Sequence, residues 1–165
     1  MTYNYTEKEL KTYYDVALEQ VNKCGQIFME GYRKSKLDAK VKDAYWDFVT
    51  VYDVQIEQTL CQSLKAAFPE SIFIGEEETS STKNKMKLTD APTWILDPID
   101  GTTNFMHKLP FSAISLALTI NKQLVMGVVY NPAANELYSA WKANGAYLNG
   151  QRIHVSGARK VCNTK

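Results

Sequence analysis

The first third of the chain has the hydrophobic spacing of a long helix. Side chains able to form one apolar face recur at three- and four-residue steps, at Leu10, Tyr14, Leu18, Val21, Cys24 and Phe28. Just before this run, Thr6 and Glu9 match a capping box, in which both side chains satisfy amide groups that the first helical turn leaves open. The pattern therefore predicts a long amphipathic helix that begins near residue 7.

A second helix is predicted after Asp53 and before Pro69, where a proline would end it. Its inward positions are expected to be Ile56, Leu60, Leu64 and Ala67. The charged stretch 33–43 between the two helices breaks the apolar period. We predict that this stretch is a connection between the helices.

After Pro69 the period of the pattern changes to that of strands. The expected strands are 72–74, 93–96, 113–120, 124–130 and 136–141, and the polar stretch 79–87 is predicted as a loop. Hairpin turns are indicated by Asn144-Gly145 and Asn149-Gly150. Two helices followed by consecutive strands predict an α+β fold, with helices on one face of a largely antiparallel sheet.

Composition narrows the class of protein. The 165 residues include 19 Lys and Arg against 18 Asp and Glu, a net charge of +1, with 45% hydrophobic and 22% charged residues. This balance is typical of one globular domain and argues against a general nucleic-acid binder. The N-terminal stretch 1–11 is too polar for a secretory signal, and the three cysteines are widely spaced. A cytoplasmic protein with reduced thiols and no membrane contact is expected.

Acidic residues follow two of the predicted strands directly. Glu76, Glu77 and Glu78 come after the strand 72–74, and Asp97 and Asp100 flank a proline-containing turn after the strand 93–96. Carboxylates that converge at strand ends repel one another unless a cation lies between them. Oxygen ligands favour Mg²⁺, whereas zinc is disfavoured because only two histidines and no nearby cysteine are present.

The residues after Asp100 add the chemistry of a phosphate site. Gly101 is followed by Thr102 and Thr103, so a helical turn that begins here would offer backbone amides to a phosphate oxygen. The Thr102 hydroxyl could orient a metal-bound water. Together with the carboxylates this indicates metal-assisted phosphoester hydrolysis. From these residues alone, a solvated acidic loop and ordinary turn chemistry remain open alternatives.

The segment 94–105, WILDPIDGTTNF, resembles the signature of the inositol monophosphatases, which are Mg²⁺-dependent, lithium-sensitive phosphomonoesterases. Similar segments are 49–53, 73–77, 88–93, 127–130 and 145–150. The resemblance implies the first layer of the αβαβα sugar-phosphatase sandwich. It also implies hydrolysis of inositol monophosphate to inositol and phosphate by metal-activated water, with two or more Mg²⁺ sites and a homodimer in the full-length family.

The resemblance also assigns roles to individual residues. The first metal would be held by Glu76, Asp97 and the Ile99 carbonyl, and the second by Asp97 and Asp100. Thr102, paired with Asp53, would orient the attacking water, and Glu76 would also take part in catalysis. The residues expected to bind substrate and phosphate are Glu76, Ile99, Asp100, Gly101, Thr102 and Lys42. Glu77 and Glu78 are expected to be solvated.

The last nine residues depart from the family pattern. We expect a family domain over 1–156, a non-family tail over 157–165, and no second α/β layer, so that the chain is a C-terminally truncated member with little activity. Two alternatives remain open. One is a catalytically inactive partner of a full-length paralogue, and the other is a related bisphosphate nucleotidase or sugar phosphatase.

Overall fold

The computed structural model describes residues 2–35, 39–41, 48–77, 79 and 87–157, with only the backbone of 39–41 and 48. Lys42, Glu78, Cys162, most of the predicted loop 79–87 and the predicted tail beyond Gly157 lie outside the described residues. Within the described part, no helix is long and apolar enough to cross a membrane.

Helix α1 (Glu7–Arg33) confirms the first predicted helix and its cap. The Thr6 amide donates to Glu9 Oε2 over 2.7 Å, and the Glu9 amide donates to Thr6 Oγ1 over 3.2 Å. The fully buried positions run along one stripe, at Leu10, Tyr13, Ala17, Val21, Cys24 and Phe28. Tyr14 and Leu18, predicted inward, are only half-buried because they lie at the border of this stripe.

Helix α2 (Val51–Ala67) begins three residues earlier than predicted. Thr50 is its N-cap, and Asp53 is the third helical residue, which completes a second capping box. Ile56, Leu60 and Leu64 are buried as predicted, but Ala67, the last residue of the helix, is exposed. The connection before α2 contains a strand pair that the sequence pattern did not indicate, β1 (Ala39–Val41) with β2 (Phe48–Thr50).

The main sheet, as far as the chain is described, has seven strands in the order β3-β4-β5-β6-β7-β8-β9. They are β3 (Ile72–Gly75), β4 (Thr93–Asp100), β5 (Ala113–Ile120), β6 (Gln123–Asn131), β7 (Glu136–Trp141), β8 (Gly145–Leu148) and β9 (Gln151–Ile153). Of these seven, β3 and β4 are parallel, and all the other neighbours are antiparallel. The predicted α+β class and meander are therefore confirmed, and the two Asn-Gly pairs lie at the turns on either side of β8.

Strand β4 differs from the prediction in a way that matters for the site. It continues through Asp97 and Pro98 to Asp100, and its pairing with β5 is irregular between the two aspartates. The proline-containing turn predicted here is thus wrong. A bulge takes its place, because Pro98 can be accommodated at such an irregularity, and a bulge re-aims the side chains on either side of it.

The two faces of the main sheet are covered differently. Helices α1 and α2 pack on one face, whose side chains are buried, among them Trp94, Leu116, Leu118 and Val128. The opposite face carries small or half-exposed residues of the central strands, such as Ala117 and Gly127. Val129 and Tyr138 pair across β6 and β7 on this second face and are 43% and 39% exposed.

We expect the 165-residue chain to be poorly soluble or to self-associate through this second face, because it exposes contiguous apolar surface. Val129→Lys should shift the sedimentation profile towards the monomer, since the added charge would have to be desolvated in any contact. Gln58→Lys on the exposed side of α2 adds the same charge elsewhere and should leave the profile unchanged. A monodisperse wild-type monomer would contradict this expectation.

The segment before α1 is tied to the far end of the sheet. The Tyr3 amide donates to Asn121 Oδ1 over 2.7 Å, and Asn121 Nδ2 donates to the Tyr3 carbonyl over 2.8 Å. Asn121 lies in the turn between β5 and β6 and has a positive φ of 53°. This two-way hydrogen bond fixes the N-terminal segment beside that turn.

Candidate phosphatase site

Two carboxylates lie side by side where β3 ends. Because β3 and β4 are parallel and Gly75 pairs with Leu96, the residues that follow, Glu76 and Asp97, occupy adjacent positions. The predicted proximity of this pair is therefore confirmed, but only Glu76 follows the end of its strand, because Asp97 lies within β4. Both side chains are half-buried, so their charges are only partly screened by water.

The pKa of Asp97 is raised to about 8, and burial of the side chain is the largest cause. The charge of the nearby Glu76 carboxylate and a hydrogen bond with Glu76 raise this pKa further. Asp100 and Asp53 add smaller repulsion of the same sign. In the absence of a cation, this raised pKa favours the protonated form of Asp97 at neutral pH. The four carboxylates thus form one electrostatic unit centred on Asp97.

Asp100 lies on the solvent side of the bulge and is exposed. A groove of about 530 Å³ opens beside Asp100 and Gly101, and its wall includes Asn104, Ser112 and Tyr138. The exposed Asp100 carboxylate therefore borders a space large enough for a small ligand.

The Thr102 hydroxyl bridges β4 and α2. Its Oγ1 lies 3.0 Å from the Ile99 carbonyl oxygen and 3.3 Å from Asp53 Oδ1, and can donate to either. The other carboxylate oxygen of Asp53 accepts from both the amide and the hydroxyl of Thr50, over 2.8 and 2.6 Å. Asp53 thus accepts from the helix cap through one oxygen and from Thr102 through the other. Its role in the cap is therefore compatible with a role beside Thr102.

Burial raises the pKa of Asp53, while its hydrogen bonds from Thr50, its own backbone amide and Thr102 oppose the shift. These donors stabilise the ionised form inside the protein. A carboxylate held in this way keeps one oxygen directed at the Thr102 hydroxyl.

Gly101 is the N-cap of a short helix, α3 (Thr102–Met106), as the sequence predicts. Its φ of 82° lies in the left-handed region, and a Cβ at this position would lie 2.8 Å from the Phe111 carbonyl oxygen. Glycine is therefore required for this turn on both conformational and steric grounds. The turn fixes where α3 starts, and so fixes Thr102 relative to Asp100.

The predicted site residues fall into two groups. Glu76, Asp97, Ile99, Asp100, Gly101, Thr102 and Asp53 lie in one region of the molecule. Lys42 and Glu78 lie outside the described residues. The sequence interpretation missed Glu57, a buried acid one helical turn after Asp53. An acid between Ile56 and Leu60, on the buried side of α2, was the available signal.

The carboxylates are not arranged as a finished metal site. Among the residues that the structure describes, no three His, Cys, Asp or Glu side chains stand together as a metal-holding group. The donors nevertheless fit a hard cation, because they are all oxygen atoms and because Asp97 Oδ1 is buried with no hydrogen-bond partner among those same residues. A cation would satisfy this oxygen and favour the ionised form of Asp97.

The amino-acid sequence of this chain is similar to those of known proteins. The sequence profile of the inositol monophosphatase family matches residues 9–164. The chain is 46% identical to inositol monophosphatase 2 of Solanum lycopersicum over 92% of its own length and 57% of the relative's. The chain thus spans little more than half the length of this curated relative.

Solved structures agree in fold. The Thermotoga maritima inositol monophosphatase superposes with a TM-score of 0.77 at 34% identity, over 87% of this chain and 54% of the other. An inositol monophosphatase/NADP phosphatase complexed with Mg²⁺ and phosphate superposes with a TM-score of 0.75 at 26% identity, over 87% and 53%. From this match of sequence and fold, the chain belongs to the inositol monophosphatase family.

Proposed function

We propose that this chain carries the carboxylate and hydroxyl groups of a Mg²⁺-dependent phosphatase that hydrolyses inositol monophosphate to inositol and phosphate. The observation that carries the proposal is the buried Oδ1 of Asp97, which no described residue partners, among the carboxylates of Glu76, Asp100 and Asp53. Such a group has a strong electrostatic preference for a bound cation. Membership of the family adds the reaction class.

Mg²⁺ would be held by Glu76, Asp97 and the Ile99 carbonyl, and a second ion by Asp97 and Asp100. When bound, Mg²⁺ supplies positive charge that activates water and stabilises charge developing on phosphate oxygens. The Ile99 carbonyl can accept from Thr102 and still offer a lone pair, because a carbonyl oxygen has two.

The remaining groups of the site act on water and phosphate. Thr102 can direct its proton to Asp53 Oδ1 or to the Ile99 carbonyl, so its lone pairs are left to accept from a water molecule. Asp53 supplies one of the two acceptors that limit the orientation of this hydroxyl. The amides of Gly101 and Thr102 would donate to phosphate oxygens, and Lys42 stays a prediction for the same role.

We expect Asp100→Asn to weaken Mg²⁺ binding by about tenfold or more, because it replaces a charged oxygen ligand by a neutral one of equal size. The fold should be kept, since the exposed position also loses repulsion with Asp97. Titration calorimetry with Mg²⁺ or Mn²⁺ measures the effect. Unchanged affinity would remove Asp100 from the site.

The proposal as a whole is tested on the 165-residue chain by calorimetry and by phosphate release from inositol monophosphate with and without Mg²⁺. NADP serves as a second substrate, since one similar structure is of an inositol monophosphatase/NADP phosphatase. Mg²⁺ binding that Asp97→Asn abolishes supports the proposal. A chain that binds neither Mg²⁺ nor Mn²⁺ would overturn it.

Finer properties follow from the family resemblance and belong to the same proposal. They are inhibition by lithium, two or more Mg²⁺ ions per complete site, a homodimeric assembly and a location in the cytoplasm. The free thiols of Cys24 and Cys61, the two cysteines that the structure describes, support the last of these, because reduced thiols are typical of reducing compartments.

A further inference from the structure

Glu57 is a buried carboxylate that the proposed function does not use. It lies on α2 with 8% of its surface exposed, four residues after Asp53 and on the same face of the helix. Asp53 meets the Thr102 end of the candidate site, whereas Glu57 meets the β3 end. One helix face therefore contacts both sides of the site.

The contacts of Glu57 surround the backbone of Glu76. Glu57 Oε2 accepts a 2.9 Å hydrogen bond from the amide of Glu77, the residue after Glu76. On the other side, a Cβ at Gly75 would lie 2.5 Å from Glu57 Oε2, so the glycine is what lets the carboxylate approach β3. Thr79 Oγ1 then donates to the Gly75 carbonyl over 2.6 Å and closes the turn.

This arrangement fixes the direction in which Glu76 leaves the strand. A hydrogen bond between a carboxylate and a backbone amide is stronger than one between neutral groups, and partial burial reduces competition from water. With Gly75 packed against Glu57 and Glu77 bonded to it, the Glu76 backbone between them has little freedom. Its side chain is thereby kept beside Asp97, its neighbour in register.

We propose that Glu57 is a positioning residue that holds the Glu76 carboxylate in place for metal binding, by fixing the backbone of Gly75 and Glu77 on either side of it. The inference rests on the proposed function, because it concerns the same carboxylate pair. Removing a group that orients a metal ligand without binding the metal itself commonly lowers metal affinity by about 10- to 100-fold. The contacts of Glu57 with the Glu77 amide and with Gly75 reach the backbone on either side of Glu76, so its effect on metal binding passes through that backbone.

The test compares Mn²⁺ dissociation constants of variants of the 165-residue chain by calorimetry. Glu57→Ala should weaken binding by about tenfold or more, and Glu57→Gln should stay within about threefold because its side-chain carbonyl can still accept from Glu77. Leu64→Ala, a buried truncation farther along α2, is the matched control for loss of packing. It should leave the Mn²⁺ affinity unchanged.

Two further measurements keep the test informative if Glu57→Ala folds poorly. Gly75→Ala pushes the Glu57 carboxylate away from the opposite side and should also weaken Mn²⁺ binding by about tenfold. Hydrogen exchange at the Glu77 amide, followed by NMR, should be faster in Glu57→Ala and Gly75→Ala than in Leu64→Ala. Because Leu64→Ala also loses global stability, exchange at Glu77 that is faster than in this control reports local opening at the hydrogen bond to Glu57.

The outcomes separate this inference from the proposed function. If the wild-type chain binds Mn²⁺ and Glu57→Ala binds it equally well, the positioning role is overturned and the proposed function stands. If Leu64→Ala weakens binding as much as Glu57→Ala, the effect is one of packing and the positioning role is again overturned. If the wild-type chain binds no divalent cation, the proposed function falls and this inference falls with it.

Discussion

Asp97→Asn is expected to raise the melting temperature of the metal-free protein at pH 9 and to change it little at pH 4. The pKa of Asp97 is raised from an ordinary value of 3.8 to about 8, first by burial and then by Glu76. A carboxyl group with a raised pKa contributes stability that is fully present below pH 3.8 and lost as the pH rises through about 8. Asparagine stays neutral throughout, so the variant avoids this loss.

The expected gain for Asp97→Asn at pH 9 is on the order of 1–3 kcal/mol, or about 3–10 °C, after allowing for solvent screening of the half-buried side chain. Thermal unfolding in EDTA at a series of pH values measures it. Asp15→Asn removes an exposed carboxylate paired with Lys11 on α1 and should show no such pH dependence. Saturating Mg²⁺ should reverse the ranking, because only the wild type gains from binding.

Thr102→Ala is expected to lower turnover by about 10²-fold or more while leaving divalent-cation affinity within about twofold, because the hydroxyl orients water and contributes no ligand charge. Phosphate release and calorimetry separate the two effects. If the 165 residues alone turn over too slowly, the same substitution can be made in the chain extended by the C-terminal half of the tomato relative.

The matched control for Thr102→Ala is Thr103→Ala. Thr103 is exposed and lies in the same short helix, and its substitution removes the same type of side chain. It should turn over at close to the parent rate. Parent-rate turnover by Thr102→Ala, or equal losses in both variants, would remove Thr102 from the role of orienting water.

Regular patterns account for the parts of the fold that the sequence predicts well. Helix α1 and strands β5 to β7 each bury one face. The spacing of apolar residues along the chain therefore shows which positions are buried. The bounds of α2 were less predictable because Thr50 and Asp53 form a cap in which the acid lies inside the helix. The β1–β2 pair escaped prediction because its three-residue strands are too short to show alternation.

In the candidate site, too, some features could be predicted from the sequence and others could not. The residue types after β3 and β4 indicated oxygen ligands, and the glycine followed by threonines indicated a helix start, which α3 confirms. The bulge at Asp97 to Asp100 could not be predicted, because a proline next to an aspartate equally fits a turn. The role of Glu57 depends on the contact between α2 and β3, which are separated in the chain and meet only in the folded protein.

The hydrogen bonds between Tyr3 and Asn121 have a practical consequence for labelling. Strand β5 runs from Ala113, which pairs with Asp100, to Ile120, next to Asn121. At about 3.4 Å per residue, the N-terminal segment is therefore held about 25 Å from the carboxylates. A fluorophore or surface anchor attached at Thr2 is therefore tethered beside the turn between β5 and β6, at the opposite end of β5 from Asp100.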